Sequence, residues 1–167
     1  MIQLIKRGEY RKMNIERFVE VGVLNRQSQA YISTALKNID ISYSECVFLS
    51  NLYENEGINQ EELSSILFID KTITAKSIKS LEEKGFLIRE KCEMDKRSKR
   101  LYLTDKGRNC KEEVFSSLEK WINFITDGMD GKTKNIVFNG LKLMAERAAS
   151  ANFDELLKNT DESGNKD

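Results

Sequence analysis

Two short helices, a glycine stop and two strands crowd into the stretch from Asn59 to Gly107, an order that leaves few folds open. Asn59 followed three residues on by Glu62 makes a capping box ahead of an apolar stripe, so a short helix is predicted from there to about Phe68. Asp70 offers a second N-cap. Lys71 to Lys84 can then run as a helix until Gly85, which suits the left-handed position that ends helices. At 100° per residue, Ile73, Ser77, Leu81 and Ile78 share an arc of roughly 140°, while Thr72, Lys76 and Lys79 fall together on the far side. One face is predicted to pack, and the other to be basic and hydroxylic.

After Gly85, Phe86 to Cys92 and Lys99 to Thr104 both read as strands, the second by its Leu101/Leu103 alternation. The segment between them, Glu93 to Ser98, is then a hairpin tip, with four cations in the five residues Lys96 to Arg100. Helix, helix and basic hairpin in this order describe a winged helix-turn-helix. The second helix can enter a major groove about 12 Å wide, where lysines reach phosphates or guanine edges. The hairpin tip is placed for the neighbouring minor groove, where negative potential favours arginine, and Asp95 can brace Arg97 from two residues away.

Particular residues narrow this further. Asp70-Lys71-Thr72-Ile73-Thr74-Ala75-Lys76, Leu81-Glu82-Glu83-Lys84-Gly85, Asp95-Lys96-Arg97 and Leu103-Thr104-Asp105-Lys106-Gly107 stand in series over nearly forty residues. Together they resemble the MarR family of bacterial transcription regulators, whose wing carries an Asp-x-Arg followed by Leu-Thr and a Lys-Gly pair. The resemblance implies an obligate homodimer with interlocked amino- and carboxy-terminal helices, a winged lobe on each side, and a small-molecule or redox signal that weakens DNA binding. It also implies DNA contacts from Lys71, Thr72, Thr74, Lys76 and Lys79 on the recognition helix, and from Asp95, Lys96, Arg97, Lys99 and Arg100 on the wing. Thr74 enters because the family motif uses that position, although the helical projection puts it nearer the packed side. The chain departs from the family at Ala75-Lys76, where an arginine often follows the second threonine.

Charge and composition agree with that reading. The 27 cations and 27 anions cancel overall, yet residues 57–108 hold 12 cations against 9 anions, and Lys96 to Arg108 holds 6 against 1. Positive potential therefore gathers where a duplex would lie. A chain of 167 residues, 40% apolar, suits one protomer with a real core, and the absence of proline lets long helices run without proline kinks. With no run of eighteen apolar residues and no leader of the secretory kind, a cytoplasmic protein with no membrane partner is expected.

The remaining periodicities are helical. A first helix, about Lys12 to Asn38, carries one stripe of Ile15, Val19, Val23 and Ala30 and another of Phe18, Val21, Ile32 and Leu36, so it is expected to be covered on two sides. A second runs from about Ser44 to Asn55. Beyond the wing, Asp105 is read as the cap of a long helix bearing Val114, Phe115, Leu118, Trp121, Ile122 and Ile125, which Asp127 to Gly131 breaks before a final helix. The expected architecture is mainly α with a small β-wing. It has one protomer over 1–167, a winged helix-turn-helix lobe over 42–108, and helical dimerisation regions over 10–40 and 109–158. Glu162 to Asp167 is polar and expected to fray.

Arg26 lies on the Val19, Val23 and Ala30 stripe, where it could anchor a carboxylate-bearing effector or form a structural ion pair near the interface. The three cysteines, Cys46, Cys92 and Cys110, show no Cys-x-x-Cys, and the chain has no histidine, so neither a metal site nor any other cofactor is expected. Arg89 and Lys91 would favour ionisation of Cys92, yet a free cysteine in a strand or an apolar helix is more often a small hydrophobe. No histidine base, phosphate loop or nucleophile elbow points to an enzyme or to catalytic residues. The expected function is a sequence-specific, homodimeric transcription regulator, a repressor on an inverted-repeat operator, released by a small-molecule effector. The alternative is a winged-helix module that binds a protein, or nucleic acid without sequence preference.

Overall fold

A computed structural model describes residues 2–91 and 99–162, with side chains from residue 11 to 158 within those limits. It contains α1 (Ile2–Ala35), a 3-10 turn (Lys37–Ile39), α2 (Tyr43–Leu52), α3 (Gln60–Leu67), α4 (Lys71–Glu83), β1 (Leu87–Lys91), β2 (Lys99–Leu103), α5 (Asp105–Asn109), α6 (Lys111–Ile125), α7 (Gly131–Ala149) and α8 (Phe153–Glu162). Residues 1–125 form one compact unit and residues 126–167 a second. The mainly helical fold with a small antiparallel wing agrees with the reading from sequence. None of the described helices is long and apolar enough to cross a membrane.

The core of the first unit lies under the hairpin and between the helices. Ile32 from α1, Leu36 just after it, Phe48, Leu49 and Leu52 from α2, Leu63 from α3, Ile78 and Leu81 from α4, Phe86, Leu87, Leu101 and Val114 are all buried. Burial of each such side chain contributes about 1.5–3 kcal/mol. Only the carboxy-terminal end of α1 joins this core. Further back, Phe18 is 81% exposed, and Ile15, Val19, Val21, Val23 and Leu24 are exposed with it. Among the described residues of the first unit, the second stripe is covered at Ile32, while both stripes are open further back.

Two polar junctions fix the lobe. At the first, Ser42 caps α2 in a capping box with Glu45, whose carboxylate is buried. Its Oε2 accepts from the Ser42 amide at 2.8 Å and from Lys84 Nζ at 2.9 Å, and its Oε1 accepts from Ser80 Oγ at 2.6 Å. The start of α2 is thus bound to the end of α4. Burial opposes the charge, but the Ser80, Ser42 and Lys84 hydrogen bonds outweigh it and hold the carboxyl below the usual range.

At the second junction the chain leaves β2. Thr104, not Asp105, is the N-cap of α5: its hydroxyl accepts from the Gly107 amide at 3.1 Å and donates to the Gly85 carbonyl at 2.6 Å. Gly107 lies against the Phe86 carbonyl so closely that a Cβ there would be 2.1 Å from the oxygen. Lys106 Nζ donates to the Lys84 carbonyl at 2.7 Å and sits 4.2 Å from the centre of the Phe86 ring. The Leu-Thr-Asp-Lys-Gly run is therefore a clasp on the exit of α4. The long helix predicted beyond the wing is in fact two, parted at Cys110, where Tyr53 Oη donates to the Gly107 carbonyl at 2.9 Å.

Boundaries differ elsewhere. α1 starts well before Lys12 and gives way to the 3-10 turn, which ends on Asp40 in a left-handed conformation. The second unit contains a separate α8, opened by Asn152 accepting from the Asp154 amide at 3.1 Å.

Candidate nucleic-acid interface

The outer surface of the helix-turn-helix is built by local capping. Asn59 and Glu62 form the predicted box at the start of α3, with bonds of 2.8 and 2.9 Å. α3 stops at Phe68, which takes the left-handed conformation at φ 52°, and the turn is closed by Ser64 Oγ donating to the Ile69 carbonyl at 2.6 Å. Asp70 caps α4 as predicted and accepts from the Thr72 amide at 2.7 Å. That backbone bond leads the effects that draw the Asp70 carboxyl below its ordinary range. Gly85 ends the helix at φ 77°.

On α4, Ser77, Ile78 and Leu81 are buried, whereas Lys71, Thr72, Lys76 and Lys79 are exposed. Lys71 Nζ reaches Glu61 at 2.7 Å and Lys79 Nζ reaches Glu83 at 3.6 Å. Both pairs are solvated and worth little, so either lysine can exchange its carboxylate for a phosphate at small cost. No ion pair is seen for Lys76 among the described residues. β1 and β2 pair from Leu87↔Leu103 to Lys91↔Lys99, which leaves Lys99 exposed at the end of the ladder nearest the hairpin tip. Asp95, Lys96 and Arg97, with Cys92, lie outside the described residues.

Three residues assigned from sequence are placed differently. Thr74 is fully buried, and its hydroxyl donates to the Asp70 carbonyl at 2.9 Å, so it seats α4 on the core and offers no surface to a groove. Arg100 turns inward: its Nη1 donates to the Gly57 carbonyl at 2.8 Å and lies 3.5 Å from Glu62, which ties β2 to the start of α3. Arg26 is exposed, with Nη1 3.0 Å from where a Cβ on Gly22 would stand, so its guanidinium folds back along α1. The stripe that was to bury it is itself open to solvent in the protomer.

Conversely, Ile73 was expected to pack and is 53% exposed. It stands at the side of the buried arc of α4, about 100° round the helix from fully buried Thr74 and about 140° from Ile78. Phe68 and Ile66 are also exposed near the turn, so this surface is not purely polar. A groove of about 690 Å³ opens in the same unit between Asn38, Asp40, Phe86, Lys106 and Glu113, and Arg26 does not line it. Cys46 and Cys110 are buried, and burial, reinforced by Cys110, pushes the Cys46 thiol up to about 11. Both behave as small core hydrophobes.

Comparison with known proteins bears on this geometry. Residues 41–99, from the approach to α2 to the start of β2, match the model of the MarR family. The chain is 34% identical over 89 residues to the uncharacterized HTH-type transcriptional regulator YybA of Bacillus subtilis (strain 168), a match over 53% of this chain that spans 59% of that relative's length. The crystal structure of a MarR transcriptional regulator from Methanosarcina mazei Go1 superposes with a TM-score of 0.72 at 32% identity, over 78% of this chain and 95% of that one. A putative MarR family regulator from Listeria monocytogenes, crystallised with a 26mer DNA, superposes with a TM-score of 0.76 at 27% identity, over 90% and 96% of the two chains.

Proposed function

The chain belongs to the MarR family of transcriptional regulators, and from that premise we propose that it binds duplex DNA sequence-specifically as a homodimer. α4 would enter the major groove of each half of an inverted-repeat operator, with the two half-sites about 34–36 Å apart. One observation carries the reading: α4 buries Ser77, Ile78 and Leu81 while Lys71, Thr72, Lys76 and Lys79 face outward. The Listeria relative, crystallised with DNA, supports it. The wing, through Lys96, Arg97 and Lys99, would occupy the flanking minor grooves.

The exposed apolar length of α1, from Ile15 to Leu24, supports dimerisation, because monomeric proteins rarely leave such a surface open. Binding at an inverted repeat within a promoter would make the protein a repressor, and an effector held near the dimer helices would release it. Arg26, exposed on α1, is available either to a carboxylate-bearing effector or to an ion pair with the partner protomer.

Exposed Phe68 and Ile66 favour one second reading, a module that docks on another protein. The experiment that separates the two is selection of bound sequences from a random duplex pool at physiological salt, with Lys76→Ala alongside. A palindromic motif whose preferences shift in Lys76→Ala supports the regulator. An unenriched pool overturns it in favour of the docking module or non-specific binding.

A further inference from the structure

We propose that Ile73 reads a thymine, packing against its C5-methyl group in the major groove and thereby setting one position of each operator half-site. The inference rests on the regulator reading above and goes beyond it by naming a base and the side chain that selects it.

The position of Ile73 carries the argument. It lies one residue beyond Thr72 and one helical turn before Lys76, so it borders the cationic face on the end of α4 that would penetrate deepest into a groove. The helix places it there rigidly: Asp70 Oδ1 accepts from the Thr72 and Ile73 amides at 2.7 and 3.4 Å, and the neighbouring Thr74 hydroxyl is tied to the Asp70 carbonyl. Ile73 is β-branched, so in a helix its χ1 is held to essentially one rotamer and its methyl groups point in a fixed direction.

In the protomer 53% of this side chain faces water, although Ser77 and Ile78 on the same helix are buried. Its flanks say what can cover it. Lys76, the next exposed residue along that side of α4 and without an ion pair among the described residues, puts positive charge beside the site, which suits a polyanion and disfavours a basic or purely apolar partner surface. In the major groove the apolar feature is the thymine methyl. Cytosine presents an amino donor instead, which an isoleucine cannot pair. Lys76 then supplies the polar contact to a neighbouring guanine edge or phosphate.

The test uses the operator recovered by selection, with each thymine replaced singly by deoxyuridine, which removes the methyl and nothing else. One buried methyl is worth roughly a factor of four in affinity, so about fifteenfold is expected when both half-sites are changed. The full-length protein should show that loss at one symmetric pair of positions. Ile73→Ala should bind the parent operator more weakly and be indifferent to uracil there, whereas Ile73→Val should keep the discrimination. Because the side chain is exposed, all three proteins should melt alike. A motif in which no uracil substitution distinguishes the parent from Ile73→Ala overturns this inference alone. Failure to enrich any motif overturns the regulator reading and this one with it.

Discussion

Replacing Glu45 should loosen the recognition helix, and the effect can be sized from the junction it occupies. The carboxylate is 4% exposed and holds the Ser42 amide, Ser80 Oγ and Lys84 Nζ at 2.6–2.9 Å. Glu45→Ala removes half of the capping box, worth about 1 kcal/mol, and takes the nearer of two carboxylates from a partly buried ammonium. Breaking a buried pair from one side costs about 3–5 kcal/mol. The low end applies here, because Lys84 keeps the Asp40 carbonyl at 2.7 Å, the Asp40 carboxylate at 3.5 Å and part of its contact with water. A loss of about 3 kcal/mol in a chain of this length lowers the melting temperature by about 6–12 °C.

Urea and thermal melts at pH 7, at one fixed protein concentration, measure it. Glu45→Gln, which keeps the shape but not the charge, should fall between parent and Glu45→Ala. The folded pKa of Glu45 is depressed, so its charge contributes stability that is complete above the unfolded value of about 4.3 and is lost as pH falls through the lower folded value. The gap between parent and Glu45→Gln should therefore be full at pH 7 and close progressively below about pH 4. A Glu45→Ala loss under about 0.5 kcal/mol, the range of ordinary surface substitutions, would refute the reasoning. So would a gap to Glu45→Gln that is unchanged between pH 7 and pH 3.

Other substitutions probe separate points. Arg97→Ala should weaken operator binding and flatten the dependence of log affinity on log salt by about 0.9, one counterion's worth; a titration from low to high salt with unchanged slope and affinity removes Arg97 from the interface. Gly107→Ala puts a Cβ 2.1 Å from the Phe86 carbonyl, and should cost about 3 kcal/mol or more, read as a fall in melting temperature; a neutral result would mean that the clasp yields freely. Buried at 2% exposure, with its thiol held up by that burial, Cys46 should be alkylated by iodoacetamide at pH 8 far more slowly in the folded protein than in urea, and equal rates would contradict that. Serine at all three cysteines should leave DNA release unaltered by peroxide treatment, measured by gel shift; loss of a peroxide response in the serine variants would assign a redox role.

What could be read from sequence was what a few neighbouring residues decide. The Asn59/Glu62 box, the Asp70 cap and the Gly85 stop each involve hydrogen bonds or dihedrals within four residues, so composition and spacing sufficed. The misplacements share an opposite cause. Arg100 is claimed by the Gly57 carbonyl, 43 residues away, and no local rule foretells that. Ile73 sits at the side of an apolar arc, and periodicity does not say how wide a face the core covers. Thr74 had been flagged by projection as inward, and its burial shows that the projection was the better guide than the family motif. One missed break did carry a local signal, since Asn152 with Asp154 and Glu155 is a capping arrangement overlooked inside a longer helical pattern, and Thr104 with Gly107 is likewise a local cap, one residue before the Asp105 read from sequence.

The clasp between Thr104 and Gly107 has a mechanical side. Thr104 grips the Gly85 carbonyl, Lys106 grips the Lys84 carbonyl, and Gly107 rests on the Phe86 carbonyl, so three successive peptide units at the exit of α4 are held by one short strap. Four residues on from Gly107, α6 begins. The exit of α4 and the approach to α6 therefore share one set of backbone contacts, with Cys110 alone between α5 and α6. Lengthening the strap by a single residue should lift Gly107 off the Phe86 carbonyl and loosen the exit of α4, read as a lower melting temperature.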